Sequence, residues 1–133
     1  MSAQTVLGDA LVAALQAHAG VTRLVTAVFD APPVRGARPF AEVAEALLTD
    51  WSTKDMVGRE GRIAIVLRDA GERPVRLREL AGEVDAAVEA LPRALPEGWR
   101  IASLVPVRSR IVREGEGLWV GTNEYRVRML RMQ

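Results

Sequence analysis

The sequence predicts an α+β domain: a mainly antiparallel four-stranded sheet with an N-terminal helix and one long amphipathic helix packed on one face. Three observations carry that expectation. The stretch from Trp99 to Leu130 holds two long β-prone runs joined by Glu114, Gly115, Glu116 and Gly117, a turn signal that makes the whole a long hairpin. Ile63 to Leu67 is a short continuous apolar run bounded by Arg62 and Arg68, the pattern of a strand covered on both faces at the centre of a sheet. Leu77, Leu80, Ala81, Val84, Ala87, Val88 and Leu91 form a helical stripe, with Pro74 at its start and Pro92 just past its end. A two-stranded ribbon is marginal alone in water, so the hairpin needs further strands and a helix on its apolar side.

In chain order, Val6, Leu7, Ala10, Leu11, Ala14 and Leu15 recur at helical spacing, with Ser2 or Thr5 able to cap the start and Gly20 placed as the stop. Val21, Leu24, Val25 and Val28 make a second, short helical stripe, closed by Asp30-Ala31-Pro32-Pro33 because proline cannot continue a helix. A loop follows to Pro39. Phe40, Val43, Ala44 and Leu47 have helical spacing, and propensity alone favours a helix there. Trp51 to Gly61 is polar, carries two glycines and lacks periodicity, so it is expected to be a mobile loop. The apolar strand, the turn Asp69 to Pro74, the long helix and a connection from Pro92 to Gly98 lead to the hairpin. With Arg113 opposite Trp119, period-two alternation puts Ile101, Val105, Val107 and Ile111 on the core face with Tyr125, Val127 and Met129. Arg108 and Arg110 then share the other face with Glu124 and Arg126. The helix stripe is expected to lie on the hairpin.

Composition narrows the function classes. At 133 residues and 49% hydrophobic, the chain suits one globular domain able to bury a substantial core. Without cysteine there is no disulfide, thiolate metal site or cysteine nucleophile, which fits a reducing compartment. No apolar run approaches a membrane span and no signal-peptide pattern opens the chain, so assembly in the cytoplasm and no membrane partner are expected. The net charge of +1 implies no overall attraction to polyanions, but from Trp99 onward seven arginines stand against three glutamates. Of the 18 basic residues, Lys54 is the single lysine, and this arginine-dominated asymmetry suits subunit contacts.

No catalytic, cofactor or metal residue emerges. His18, the single histidine, sits in the last turn of the first helix, where a packing or dipole contact accounts for it. Glu79, Glu83 and Glu89 fall on the solvent side of an amphipathic helix rather than in a metal cluster. Ser52, Thr53, Lys54 and Asp55 are adjacent in a loop and lack the oxyanion signature a nucleophile needs. Gly115 and Gly117 precede no helix and so cradle no phosphate. The candidate working residues are therefore partner contacts. Lys54, Asp55, Arg59 and Glu60 are charged and free of apolar periodicity, and Arg108, Arg110, Arg126 and Arg128 form a basic stripe on the outer sheet face. Glu124 within that stripe, the scarcity of aromatics and the enrichment of arginine at interfaces favour protein contact over nucleic acid.

The order of these features resembles the tail-terminator (tail-completion) family of long-tailed bacteriophages and phage-like gene transfer agents. The resemblance rests on a first helix ending near Val21 to Leu24, a proline-rich loop, Arg38-Pro39-Phe40 opening a strand, and Asp50-Trp51-Ser52-Thr53. It continues with the Ile63 to Leu67 strand, the helix from Arg76 to Leu91, and a final strand pair with an acidic-glycine turn and an arginine-rich end. It spans nearly the whole chain as a single tail-terminator-like domain, and implies that Phe40 to about Ala46 is a strand. The implied role is mechanical: a homohexameric ring on the head-proximal end of the tail tube, ending tube polymerisation at the length set by the tape-measure protein. The implied partners are other copies, the tail tube protein, the head-side connector or stopper protein and the tape-measure end, with DNA passing through without sequence-specific binding. A head-tail stopper or other minor tail protein shares this logic at another level of the particle, whereas an enzyme or small nucleic-acid-binding module needs a site the sequence does not display.

Overall fold

In the computed structural model, which describes residues 1–132, the first helix begins where the sequence places its cap. Ser2 Oγ accepts from the Thr5 amide at 3.1 Å and α1 runs Ala3–Ala17, burying Val6, Leu7, Leu11 and Leu15. Its stop is His18 rather than Gly20: His18 turns extended, and Gly20 lies inside a single further turn, α2, Ala19–Thr22. The apolar stripe expected to continue as helix to Val28 is cut short. Val28 and Phe29 form a short strand, β1, and Phe29 meets Phe40 edge-on at 5.5 Å between ring centroids.

The sheet has six strands rather than four. Phe40 does open a strand, β2 (Phe40–Val43), and after a step at residues 44–46 the chain resumes as β3 (Leu47–Asp50). Both pair antiparallel with one long strand, β4 (Met56–Ala70), in succession along the same side. The strand therefore starts well before Ile63. Residues 51–55 alone form the turn, closed by Thr53 donating its amide to the Met56 carbonyl at 2.8 Å and by Ser52 Oγ accepting from the Gly58 amide at 3.0 Å. Gly58 and Gly61 mark close backbone approach rather than mobility, since a Cβ at Gly58 would collide with the Trp51 carbonyl just past β3 and one at Gly61 with the Leu47 carbonyl of β3.

After β4, helix α3 (Val75–Glu89) buries Leu77, Leu80, Ala81, Val84, Ala87 and Val88 as expected, with Leu91 just beyond. A 3-10 turn at Pro96–Gly98 leads into β5 (Arg100–Gly115), which returns through a tight turn as β6 (Leu118–Met132). The spatial order is β1-β2-β4-β6-β5, with β3 also on β4, so β5 is one edge and β1 the other. α1 and α3 lie side by side on one face, where they share a core with Ile63, Ile65, Leu67, Tyr125, Val127 and Met129. The buried Asn123 carboxamide locks α3 to the hairpin: it donates to the Ala81 carbonyl at 2.9 Å and to Asp85 at 3.0 Å, while Ser109 donates to its oxygen at 2.7 Å.

The hairpin register is correct near its turn and then departs from simple alternation. Arg113 stands opposite Trp119 and Arg108 opposite Glu124, as expected. Pro106, however, pairs with Tyr125 and Ser103 with Arg128, then Ile101 with Met129, so Val107 and Ala102 are extra residues in two β-bulges. Each bulge reverses the face on which the next residues fall. Ile101 therefore stays in the core, but Leu104 and Pro106 take the inward positions assigned to Val105 and Val107, which are 41% and 40% exposed on the outer face.

Candidate functional site

Every helix lies on the inner side, which leaves the outer face of the sheet bare. Of the residues expected in a loop, Lys54 and Asp55 do sit exposed in the β3–β4 turn. Arg59 and Glu60 do not. They are successive residues of β4, and alternation sends them to opposite faces, so they cannot act as one charged tip. Arg59 stands opposite Asp50 and pairs with it at 3.2 Å, while Glu60 receives Arg128 Nε at 3.0 Å. A hydrogen bond from Ser52 and the Arg59 guanidinium hold the Asp50 carboxyl below its ordinary pKa despite the opposing effect of desolvation.

Arg108, Arg110, Arg126 and Arg128 do share the outer face. Arg128 is committed internally, bonding Glu60 and stacking 5.0 Å over the Trp51 ring. Glu124 serves two arginines, Arg62 at 2.8 Å and Arg108 at 3.3 Å. Among the described residues Arg110 and Arg126 have no carboxylate within 4.0 Å. The register adds a feature the sequence did not disclose: Arg62 of β4 and Arg126 of β6 are direct cross-strand partners. Like charges so placed repel. The same rung continues to Leu47 on β3 and Val105 on β5, both exposed, so aliphatic side chains flank the arginine pair.

Toward the hairpin turn the charges are neutralised instead. Arg68 contacts Glu114 and reaches the buried Glu42 at 3.3 Å, and Arg38 approaches Glu114 at 3.7 Å. Partial burial works against the Arg68 charge, but the hydrogen bonds it donates to both glutamates outweigh that and raise its pKa further. On the inner side Asp69 is buried and held by Arg76 through two bonds of 2.6 and 2.8 Å, plus the Ala70 amide. Desolvation pushes the Asp69 pKa up, yet these donors prevail and keep it below the carboxylate range. These contacts brace the strand ends. His18 has a partner that the sequence did not indicate: its Nε2 lies 2.8 Å from Glu83, joining α1 to α3, and Arg23 bonds Glu79 at 2.9 Å.

Among the described residues no three acidic, histidine or cysteine side chains gather as a metal site. Nor is any described helix long and apolar enough to cross a membrane. What the surface offers is a flat sheet face of guanidinium and aliphatic groups bordered by a long edge strand. A family model described as tail completion protein gp17 matches residues 9–130, from within α1 almost to the end of β6. The chain belongs to this family. As a tail completion protein it is a structural protein of a phage-type tail. A chain from the solved virion of a native gene transfer agent particle is similar, with a TM-score of 0.80 and 26% identity over 98% of this chain and 99% of that one. No curated protein matches the chain.

Proposed function

We propose that the protein is a tail terminator: copies of it close into a homohexameric ring on the head-proximal end of the tail tube, stop tube growth and receive the head-side connector or stopper protein. The reading is carried by the family match across residues 9–130, which runs from within α1 through α3 and the sheet almost to the end of β6. The physics of a ring supports it. A closed ring of head-to-tail contacts needs two unlike side surfaces that fit each other, plus two unlike ends. This subunit has such asymmetry: a bare arginine-bearing sheet face on one side, helices on the other, and a β5 edge interrupted by Pro106 and three register shifts, devices that discourage indiscriminate strand pairing.

The role is mechanical. No side chain is assigned chemistry and no cofactor is required. The tape-measure end is met where the ring seals the tube, and DNA crosses the ring without base readout. Assembly takes place in the bacterial cytoplasm and the finished protein remains in the particle tail. The test is polymerisation of the cognate tube protein with and without this chain. A terminator shortens the tube length distribution in proportion to its amount and is found at tube ends. An unchanged distribution, with no protein at the ends, overturns the reading.

A further inference from the structure

The arginine pair at the centre of the outer face is only half neutralised by the fold: Arg62 bonds Glu124 at 2.8 Å, whereas Arg126 has no carboxylate partner among the described residues. Arg62 and Arg126 face each other across β4 and β6, and Glu124 is shared with Arg108. Next to them Val105 and Val107 expose apolar surface that the two bulges turned outward. Guanidinium beside aliphatic surface is the composition of a protein interface. A phosphate-binding track wants unbroken positive charge, whereas Glu60 and Glu124 lie on this face.

The same chain carries a counterpart at the other side of the sheet. Between α1 and the step from β2 to β3 lies a cleft of about 430 Å³ lined by Asp9, Asp30 and Glu45. None of the three has an ion-pair partner among the described residues, whereas seven of the other acids in the first 98 residues are engaged by cations. The cleft flanks the β1–β2 side and the arginine patch flanks the β5 edge, so one copy cannot bring its own two surfaces together. A row of copies can.

We propose that Arg108 and Arg126, with Val105, dock on the Asp9, Asp30 and Glu45 cleft of a second copy, and that this is the repeating side contact of the ring. The contact is heterologous, so each copy uses one surface on each side and the chain of contacts closes only by rotation. It rests on the ring-forming reading above and names the surfaces that reading requires. Charge complementarity selects the partner: the mutual repulsion of Arg62 and Arg126 is relieved when carboxylates arrive, and the Asp9, Asp30 and Glu45 charges are relieved in the same step.

The test is analytical ultracentrifugation of the full chain with R108E/R126E, D9R/E45R and the combination of all four. Each pair alone is expected to weaken self-association about tenfold or more, because like charges then meet across the contact. The fourfold variant reverses both sides and restores association, which a merely structural loss would not do. All these positions are on the surface; Arg126→Glu removes a like-charge pair while Arg108→Glu sets a glutamate opposite Glu124, so melting temperatures are measured for each variant and Arg126→Gln, which leaves the Arg108–Glu124 pair intact, repeats the test should the double reversal fold poorly. Association of the parent also falls as salt rises from about 0.05 to about 0.5 M. The proposal is overturned by a parent chain that stays monomeric, by R108E/R126E associating like the parent, or by a fourfold variant that folds but is not restored. Binding of arbitrary duplex DNA that R108E/R126E abolishes, with self-association untouched, gives the face to a polyanion and overturns it equally. Rings on tube ends built from R108E/R126E copies overturn this contact and leave the terminator reading standing; failure of the parent chain to cap tubes overturns that reading.

Discussion

Replacing Leu80 with alanine probes the packing on which every surface of this subunit depends. Leu80 is fully buried near the middle of α3, on the stripe that covers the inner face of the sheet. Truncation removes three carbons from the core, which at about 0.8 kcal/mol each amounts to roughly 2.4 kcal/mol of lost burial. A residual cavity of roughly 60 to 80 Å³ at about 24 cal/mol per Å³ adds up to about 2 kcal/mol where neighbours do not relax. The expected cost is therefore about 2.5 to 4.5 kcal/mol, near 3 to 5 °C of melting temperature per kcal/mol for a chain of this size. Urea unfolding with an unchanged slope is the assay. Val105→Ala is the internal comparison: sequence alternation put Val105 in the same core, but the bulges place it outside, so its loss is expected within about 0.5 kcal/mol. A Leu80→Ala cost below about 0.5 kcal/mol refutes the packing, and a Val105→Ala cost equal to that of Leu80→Ala refutes the bulged register.

Other outcomes follow from single sites. Tyr125, the one tyrosine, is buried and bonded to Asp85, and burial first and the Asp85 carboxylate next raise its pKa. Folded protein should therefore show no phenolate absorbance at about pH 10, where the denatured chain ionises, and the stability this phenol contributes is fully present below about pH 10 and is lost progressively as pH rises from there through its folded value; a native transition near pH 10 contradicts this. Asp69 has the opposite sign: its lowered pKa adds stability that is present above about pH 4 and lost as pH falls through the folded value. Asp69→Asn should cost about 1 to 3 kcal/mol at neutral pH and flatten the acid limb of the stability profile, and an unchanged limb sinks the assignment. Gly61→Ala should disrupt the β3–β4 pairing at about 1 to 3 kcal/mol because its Cβ meets the Leu47 carbonyl. Gly82→Ala, on the exposed side of α3 with open space around it, should instead stabilise by about 0.5 to 1 kcal/mol, and equal melting shifts for the two refute the close approach.

The elements with strong periodicity were visible in the sequence. The α3 stripe, the Ser2 cap and the turn of the β5–β6 hairpin appear where spacing and punctuation put them. What stayed hidden depended on pairing over long separations. Met56 to Arg62 carries two glycines and three charged positions, so propensity marks a loop, yet β3 on one side and β6 on the other hold it as strand. Residues 40–50 are locally helix-like, and the resemblance rather than propensity placed a strand there. The step at residues 44–46, which splits it in two, had no signal. Bulges at Ala102 and Val107 are equally silent, because nothing in a β-branched run announces that one residue is extra. The candidate site divided along the same line. The outer-face arginines of the hairpin followed from local alternation near the turn, whereas the opposition of Arg62 to Arg126, the separation of Arg59 from Glu60, and the acid cleft under α1 arise only once distant strands are paired.

Electron microscopy of tube protein assembled with this chain tests the terminator role most directly. A tail terminator gives a ring with sixfold symmetry at one end of each capped tube, with the β5 edge and arginine face of each subunit against the α1 side of the next. Protein scattered along the tube wall, bound at both ends alike, or present at the end without rotational symmetry contradicts it.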